Sequence, residues 1–262
     1  MPTTTAGPST RRTRSRWKTA LAWIGGAIAL LAVAGLAAFA WLWFTVDVPA
    51  PNDFATSETT IVYYADGERE IGRFSSENRV SVPLEQVPEH VQQAVLAAED
   101  RTFYENRGIS IPGIARAVWN NLTSDSTEGG STITQQYVKN YYLTQDQTYW
   151  RKIEEIIIAL KVDAQVSKDQ ILEDYLNTVY FGRGAYGIQT GGQAGFRTDV
   201  EDLSVSEGAT LAALLQSPSG YDPRNGPQAE AALSARFDYV IDGMVSEGWL
   251  SEAEAAAASL PE

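Results

Sequence analysis

A chain of 262 residues with an ordinary apolar fraction has room for one globular domain plus a short extra segment, and is neither disordered nor fibrous. The net charge of -13 hides a division, because Arg11, Arg12, Arg14, Arg16 and Lys18 all precede the first acidic residue, Asp47. The remainder of the chain is too acidic overall for nucleic acid, so an anionic ligand needs a local basic cluster. No cysteine is present and His90 is the only histidine, which removes disulfides, thiolate chemistry, most histidine zinc sites and histidine triads.

The basic arm, residues 1–18, leads into residues 19–46, which contain no charge. A helix of about 28 residues at about 1.5 Å each is long enough to cross a hydrocarbon core of about 30 Å. Trp17 and Trp23 near one end and Trp41 and Trp43 near the other fit interfacial belts, and the arginines place the N-terminus in the cytoplasm. The competing reading is a cleaved signal peptide with Ala38-Phe39-Ala40 as its site, but the apolar run is longer than a signal core and continues to Phe44. Pro49-Ala50-Pro51-Asn52-Asp53 reads as a stiff exit from the bilayer.

Residues 47–80 form a linker in which Thr59 to Tyr64 and Glu70 to Phe74 flank a turn at Ala65-Asp66-Gly67-Glu68, the pattern of a small hairpin. Beyond Pro88 the pattern is helical almost to the end. The first helix aligns Val91, Val95 and Glu99 at four-residue steps, so a carboxylate continues an apolar stripe. A cleft-facing Glu that loses water gains proton affinity, as a general base requires; the alternative is an exposed residue at a helix end. In 111–122, Ile111, Ile114, Val118 and Leu122 share a face with Trp119 beside them, which suits either a core or a membrane interface.

Gly129-Gly130-Ser131-Thr132-Ile133-Thr134-Gln135-Gln136 brings glycines into Ser and Thr at a helix start, a pattern suited to anion or sugar binding and also to simple capping. In the helix from Trp150 to Val166, Ile153, Ile156, Ile157 and Leu160 share one face, Arg151, Glu155, Ile158 and Val162 the opposite one, and both are expected to be buried. Glu155 is then placed to hold Arg151 while its other donors meet a ligand, or the two form a surface salt bridge. Lys139, Arg151, Lys152 and Lys161 are the densest basic group of this acidic region, as a bound pyrophosphate requires. The helix from Lys168 puts Ile171, Leu172, Tyr175, Leu176 and Val179 on one face and Glu173, Asn177 and Tyr180 on another, which is either a solvated face or the lining of a polar cleft.

These segments occur in a fixed order: Glu99-Asp100-Arg101-Thr102-Phe103 with Gly108, residues 129–136 with Lys139-Asn140, Arg151-Lys152 with Glu155, and Ile171-Leu172-Glu173 with Tyr175-Leu176-Asn177. Together they strongly resemble the motifs of the peptidoglycan glycosyltransferases, found in class A penicillin-binding proteins and monofunctional transglycosylases. Ser206-Glu207-Gly208-Ala209 through Pro218, Tyr221, Pro223 and Arg236 is similar to that family's final motif.

The resemblance implies a mainly α, lysozyme-like glycosyltransferase domain over 81–262, with a smaller membrane-facing lobe and one preceding transmembrane helix. It implies a growing lipid-linked glycan as donor and lipid II as acceptor. Glu99 matches the general base and Glu173 a second carboxylate that assists pyrophosphate departure or positions groups around it. Lys139, Arg151 and Lys152 match residues that hold pyrophosphate, and Asp100, Phe103, Ser131, Thr132, Gln135, Gln136, Glu155 and Asn177 fall at further substrate-binding positions. A divalent cation, Mg or Mn, is an expectation where carboxylates meet a pyrophosphate, although no protein-only metal cage is visible. The lipid bilayer and other wall-synthesis or division proteins are the implied partners.

The chain departs from the family pattern at Asn106, where histidine is usual, and at Gly195-Phe196-Arg197, where tyrosine, phenylalanine and glycine are usual. Asn106 cannot transfer protons. The lead-in from 59 to 88 is closer to the bifunctional proteins than to the monofunctional ones, yet no transpeptidase set of serine-lysine, serine-aspartate-asparagine and lysine-threonine-glycine is present. Two other readings stand beside synthesis: a lytic transglycosylase or muramidase, and a catalytically silent wall scaffold.

Overall fold

The computed structural model describes residues 14–48, 60–63, 70–74, 78–123, 130–142 and 148–261. The chain divides into two compact units, Met1–Asp47 and Val48–Glu262. In the first, α1 (Arg14–Thr45) contains an apolar stretch of 29 residues, Trp17–Thr45, with none of its window buried in protein. At about 1.5 Å per residue that stretch exceeds a hydrocarbon core of about 30 Å, so α1 is long and apolar enough to cross a membrane.

The second unit opens with the expected hairpin, β1 (Thr60–Tyr63) antiparallel to β2 (Glu70–Phe74), whose turn at 65–68 lies outside the described residues. β3 (Asn78–Arg79) then runs parallel to β5 (Ala185–Tyr186), which pairs antiparallel with β4 (Tyr180–Gly182). This small sheet fastens the lead-in beside the end of α6 (Lys168–Thr178).

The helices form two packed groups. In the first, α2 (Glu89–Glu99) lies against α8 (Val205–Leu214) and α9 (Pro227–Ser246), around Val91, Val95, Ala212, Val240 and Met244, all fully buried. A methyl group on Gly208 would stand 2.9 Å from Val91 Cγ2, so only glycine allows α8 to approach α2 this closely. In the second group α4 (Ile133–Tyr141) packs on α5 (Tyr149–Gln165) and α6 around Ile133, Val138, Ile158, Ile171 and Leu172. Between the groups in sequence, α7 (Ile188–Phe196) contacts α8 and the small sheet, and α10 (Glu252–Ala257) closes the described chain against α9.

One expectation from the sequence fails in the structure, and one open choice is narrowed. Only one face of α5 is buried, the one carrying Glu155, Ile158, Ala159 and Val162 with Ile157 at its side; Ile153 is 38% exposed, and Ile156 and Leu160 are half-buried. An apolar stripe needs a neighbour, and α4 packs against one side of α5 only. Of the two readings of 111–122, the described positions of α3 (Ile111–Thr123) do not fit the core, since Ile111 is 72% and Trp119 68% exposed. The Val118 and Leu122 side chains lie outside the described residues.

Candidate active site

Glu99 is the last residue of α2, and only 12% of its side chain is accessible, which rules out the freely exposed alternative. Its Oε2 accepts a 2.7 Å hydrogen bond from Gln136 Nε2 on the first turn of α4. On the other side the Arg236 guanidinium of α9 stands 3.6 Å from Oε1. Arg236 is fixed in turn, donating to the Ala98 carbonyl at 2.7 Å with its guanidinium 4.4 Å from the centre of the Tyr239 ring. The Tyr175 hydroxyl donates to Gln136 Oε1 at 3.2 Å. Glu99 is therefore held at the joint between the two helical groups, with one carboxylate oxygen tied and the other beside a cation.

The loop after Glu99 is a bracket built on Asp100. Its carboxylate accepts from Asn106 Nδ2 at 3.0 and 2.9 Å, from Thr102 Oγ1 at 3.2 Å and from the Ile133 N–H at 3.3 Å. Burial raises the Asp100 pKa above the usual carboxylate range, and these hydrogen bonds, led by Asn106, oppose the rise. Asn106 uses both ends of its amide, since its Oδ1 accepts from the Gly108 N–H and from Lys168 Nζ, each at 3.2 Å. The departure from histidine thus leaves a donor and an acceptor in place. Gly108 sits at φ +79, and a Cβ there would lie 2.6 Å from the Ala159 carbonyl oxygen, which explains glycine at this turn. Phe103 is completely buried, with Lys168 Nζ 4.5 Å from its ring centre and 2.6 Å from Asp163 Oδ1.

The second segment begins α4. Thr132 is its N-cap, accepting from the Gln135 N–H at 3.2 Å while the Gln135 side chain accepts from the Thr132 N–H at 3.1 Å. Thr132 Oγ1 also donates to the Gly108 carbonyl at 2.6 Å. Both side chains are buried, and the oxygens of both are used in these bonds, which shape the loop. Gly129 lies outside the described residues. Ser131 is half-buried and accepts from Lys152 Nζ at 2.9 Å. Lys139, on the last turn of α4, has no ion-pair partner among the described residues.

Glu155 is 2% exposed and meets both cations, Arg151 Nη1 at 3.3 Å on Oε2 and Lys152 Nζ on Oε1. Two cations sharing one carboxylate leave a net positive charge beside Ser131, and Arg151 Nε is buried without a protein partner among the described residues. Such a pair is suited to an anion with several oxygens.

Glu173 and Asn177 lie elsewhere. With Arg79, Ser81, Tyr141 and Asp174 they line a polar cavity of about 280 Å³ that does not include Glu99. Glu173 Oε2 accepts from the Leu84 N–H at 2.8 Å, and Asn177 bonds both the Val82 N–H, at 2.9 Å, and the Val82 carbonyl, at 2.8 Å. They therefore face a polar cleft and hold its wall, the backbone of 82–84. Asp174 is pushed up by burial while accepting from Tyr137 at 2.9 Å. Among the described residues no three His, Asp or Glu side chains gather where a metal ion could be held, so no step is assigned to one.

Arg236 and Tyr175 are site residues that the pattern of a single helix does not reveal. Arg236 is distant in sequence from Glu99, and Tyr175 lies on an apolar stripe that conceals its hydroxyl. Arg197, the last residue of the second departure, caps α7 in the left-handed region at φ 61, where a glycine is unstrained. Gly195 opens on an apolar cavity of about 170 Å³ lined also by Phe181, Phe196, Leu211 and Leu214.

Residues 67–245 match the family model described as Transglycosylase. The chain is 48% identical over 230 residues to penicillin-binding protein 1A of Mycobacterium tuberculosis, covering 86% of this chain and 28% of that protein. It is 43% identical over 258 residues to penicillin-binding protein 1A of Mycolicibacterium smegmatis, covering 96% of this chain and 32% of that protein. A crystal structure of penicillin-binding protein 1A from Haemophilus influenzae aligns with a TM-score of 0.43 and 22% identity, over 77% of this chain and 20% of the other. The chain thus spans less than a third of the length of these curated relatives. With a family model matched across the helical unit, from the hairpin to the end of α9, this chain belongs to the transglycosylase family.

Proposed function

We propose that this chain is a peptidoglycan glycosyltransferase that polymerises lipid II into β-1,4-linked glycan, releasing undecaprenyl pyrophosphate. The observation that carries the reading is Glu99, largely buried and held between Gln136 and Arg236. Glu99 takes the proton from the 4-hydroxyl of the acceptor sugar as that oxygen attacks the anomeric carbon of the donor, and the configuration inverts. The departing pyrophosphate is met by Arg151 and Lys152, fixed on Glu155 beside Ser131, and by Lys139. Donors oriented before the reaction stabilise the developing charge without reorganising. Glu173 is the second carboxylate, shaping the cleft through Leu84 and acting on groups that enter it.

The proposed setting is a membrane that α1 spans, with the basic arm in the cytoplasm and Val48–Glu262 outside. The exposed Ile111 and Trp119 of α3 suit contact with the same bilayer, from which a polyprenyl substrate tail does not leave. The deciding experiment is incubation of the full chain with labelled lipid II. Polymer appearing supports synthesis; no polymer from a folded chain refutes it, and shortening of preformed glycan assigns the chain to lysis.

A further inference from the structure

Tyr175 is fully buried on α6, among residues that form the core, yet its hydroxyl is spent on a side chain of the site. Gln136 can face Glu99 in two ways. With Nε2 toward the carboxylate it donates, as it does at 2.7 Å; turned over, it would set its own oxygen against a carboxylate oxygen, two acceptors with no proton between them. The Tyr175 hydroxyl donates at 3.2 Å to the Gln136 oxygen and thereby favours the first arrangement. Burial, and secondly the Glu99 charge, push the Tyr175 phenol well above its usual pKa, so it remains a donor throughout the working range.

We propose that Tyr175 is a positioning residue that acts through Gln136, locking the amide so that Glu99 Oε2 always receives an N–H and only Oε1 is open to take the acceptor's proton. The inference rests on the reading of Glu99 as the base. Among the described residues Arg236 is the charged side chain paired with Glu99, and it lies on the Oε1 side, so it cannot substitute for Gln136 at Oε2. A hydrogen bond donated to a carboxylate favours its ionised form. Loosening that bond removes this support, and the acid side of the pH–rate profile is where its loss is read.

The test uses the full chain, lipid II as substrate, and the variants Tyr175→Phe, Gln136→Ala and the double variant. Tyr175→Phe is expected to lower kcat about three- to tenfold, the range of one neutral hydrogen bond, with KM little changed. The acid limb of the kcat profile should move to higher pH, a readout that a purely structural loss does not produce. Gln136→Ala should move the limb the same way, and Tyr175→Phe should add little in that background. An unchanged kcat and acid limb in folded Tyr175→Phe, an effect on KM alone, or full additivity in the double variant would overturn the proposal. If Tyr175→Phe fails to fold, an unmoved limb in Gln136→Ala overturns it equally. Failure of the wild-type chain to polymerise refutes the broader functional reading instead, so the two failures are distinguishable.

Discussion

Replacing Glu99 by glutamine isolates its proton chemistry from its place in the fold. The amide has the shape of the carboxylate, and the hydrogen bond from Gln136 Nε2, 2.7 Å in the wild type, persists with the carbonyl oxygen of the introduced amide as acceptor. What is lost structurally is the charge facing Arg236 at 3.6 Å, a largely buried pair whose loss costs about 1–3 kcal/mol. The melting temperature should therefore fall by no more than about ten degrees, with the fold kept. What is lost chemically is general-base catalysis, about 10²- to 10⁴-fold, or about 3 to 5 kcal/mol of transition-state stabilisation. Polymerisation of labelled lipid II under single-turnover conditions, beside a melting curve and a binding measurement, separates the two. Binding and fold kept with turnover lost is the expected result; turnover within a few-fold of wild type by a folded Glu99→Gln would refute Glu99 as the base.

Lys139→Ala and Arg151→Ala should weaken use of the lipid-pyrophosphate donor more than they lower the melting temperature; a large melting loss with normal activity at low temperature would make them structural. Glu173→Gln keeps an acceptor for the Leu84 N–H but removes the charge, so a fall of about 10²-fold in turnover with stability intact is expected. Full activity in Glu173→Gln, with loss only in Glu173→Ala, would limit Glu173 to holding the cleft wall. The Tyr104 phenol is pushed up to about 12 by burial and by its bond to Asp169, so the folded state keeps that proton longer than the unfolded chain does. The stabilisation it gives is whole below about pH 10 and is lost as pH rises toward about 12. Melting curves of Tyr104→Phe should show a shallower alkaline decline, and an identical decline would refute the assignment. Ile111→Ser with Trp119→Ser in residues 48–262 should weaken partitioning onto lipid vesicles about a hundredfold or more, at an unchanged melting temperature, given about 1.5–3 kcal/mol for each large apolar side chain fully buried. Equal sedimentation, or unfolding, would remove α3 from the membrane contact.

Periodicity makes most of the helices legible, because the apolar positions it aligns are the ones buried, Val91 and Val95 on α2 and Ile171, Leu172, Tyr175 and Leu176 on α6. It misleads at α5, where apolar residues occur all round and the approach of α4 decides which are covered. Thr132 to Gln135 carries a capping-box pattern visible in sequence, and the structure shows the cap using the oxygens of both side chains. Arg236 is harder to place beside Glu99, since the hydrogen bond that fixes it bridges 138 positions of sequence and no local pattern encodes such a meeting. Tyr175 is hidden for a different reason. Its ring obeys the core stripe, and one polar atom at the end of a buried aromatic has no periodicity of its own.

The placement of Glu173 and Tyr175 shows how one helix serves two sides of the cleft. Residues two apart on a helix are separated by about 200°, so these side chains leave α6 in nearly opposite directions. Tyr175 reaches inward to Gln136, whereas Glu173 and Asn177 reach outward to Val82 and Leu84. A rotation or slide of α6 would therefore disturb the hold on Glu99 and the wall at 82–84 together. Ile171, Leu172, Tyr175 and Leu176, none more than 1% exposed, lock α6 against such movement. The dense packing of this helix is thus part of the candidate site, because it fixes the distance between Glu99 and the cavity containing Glu173 without any direct bond between them.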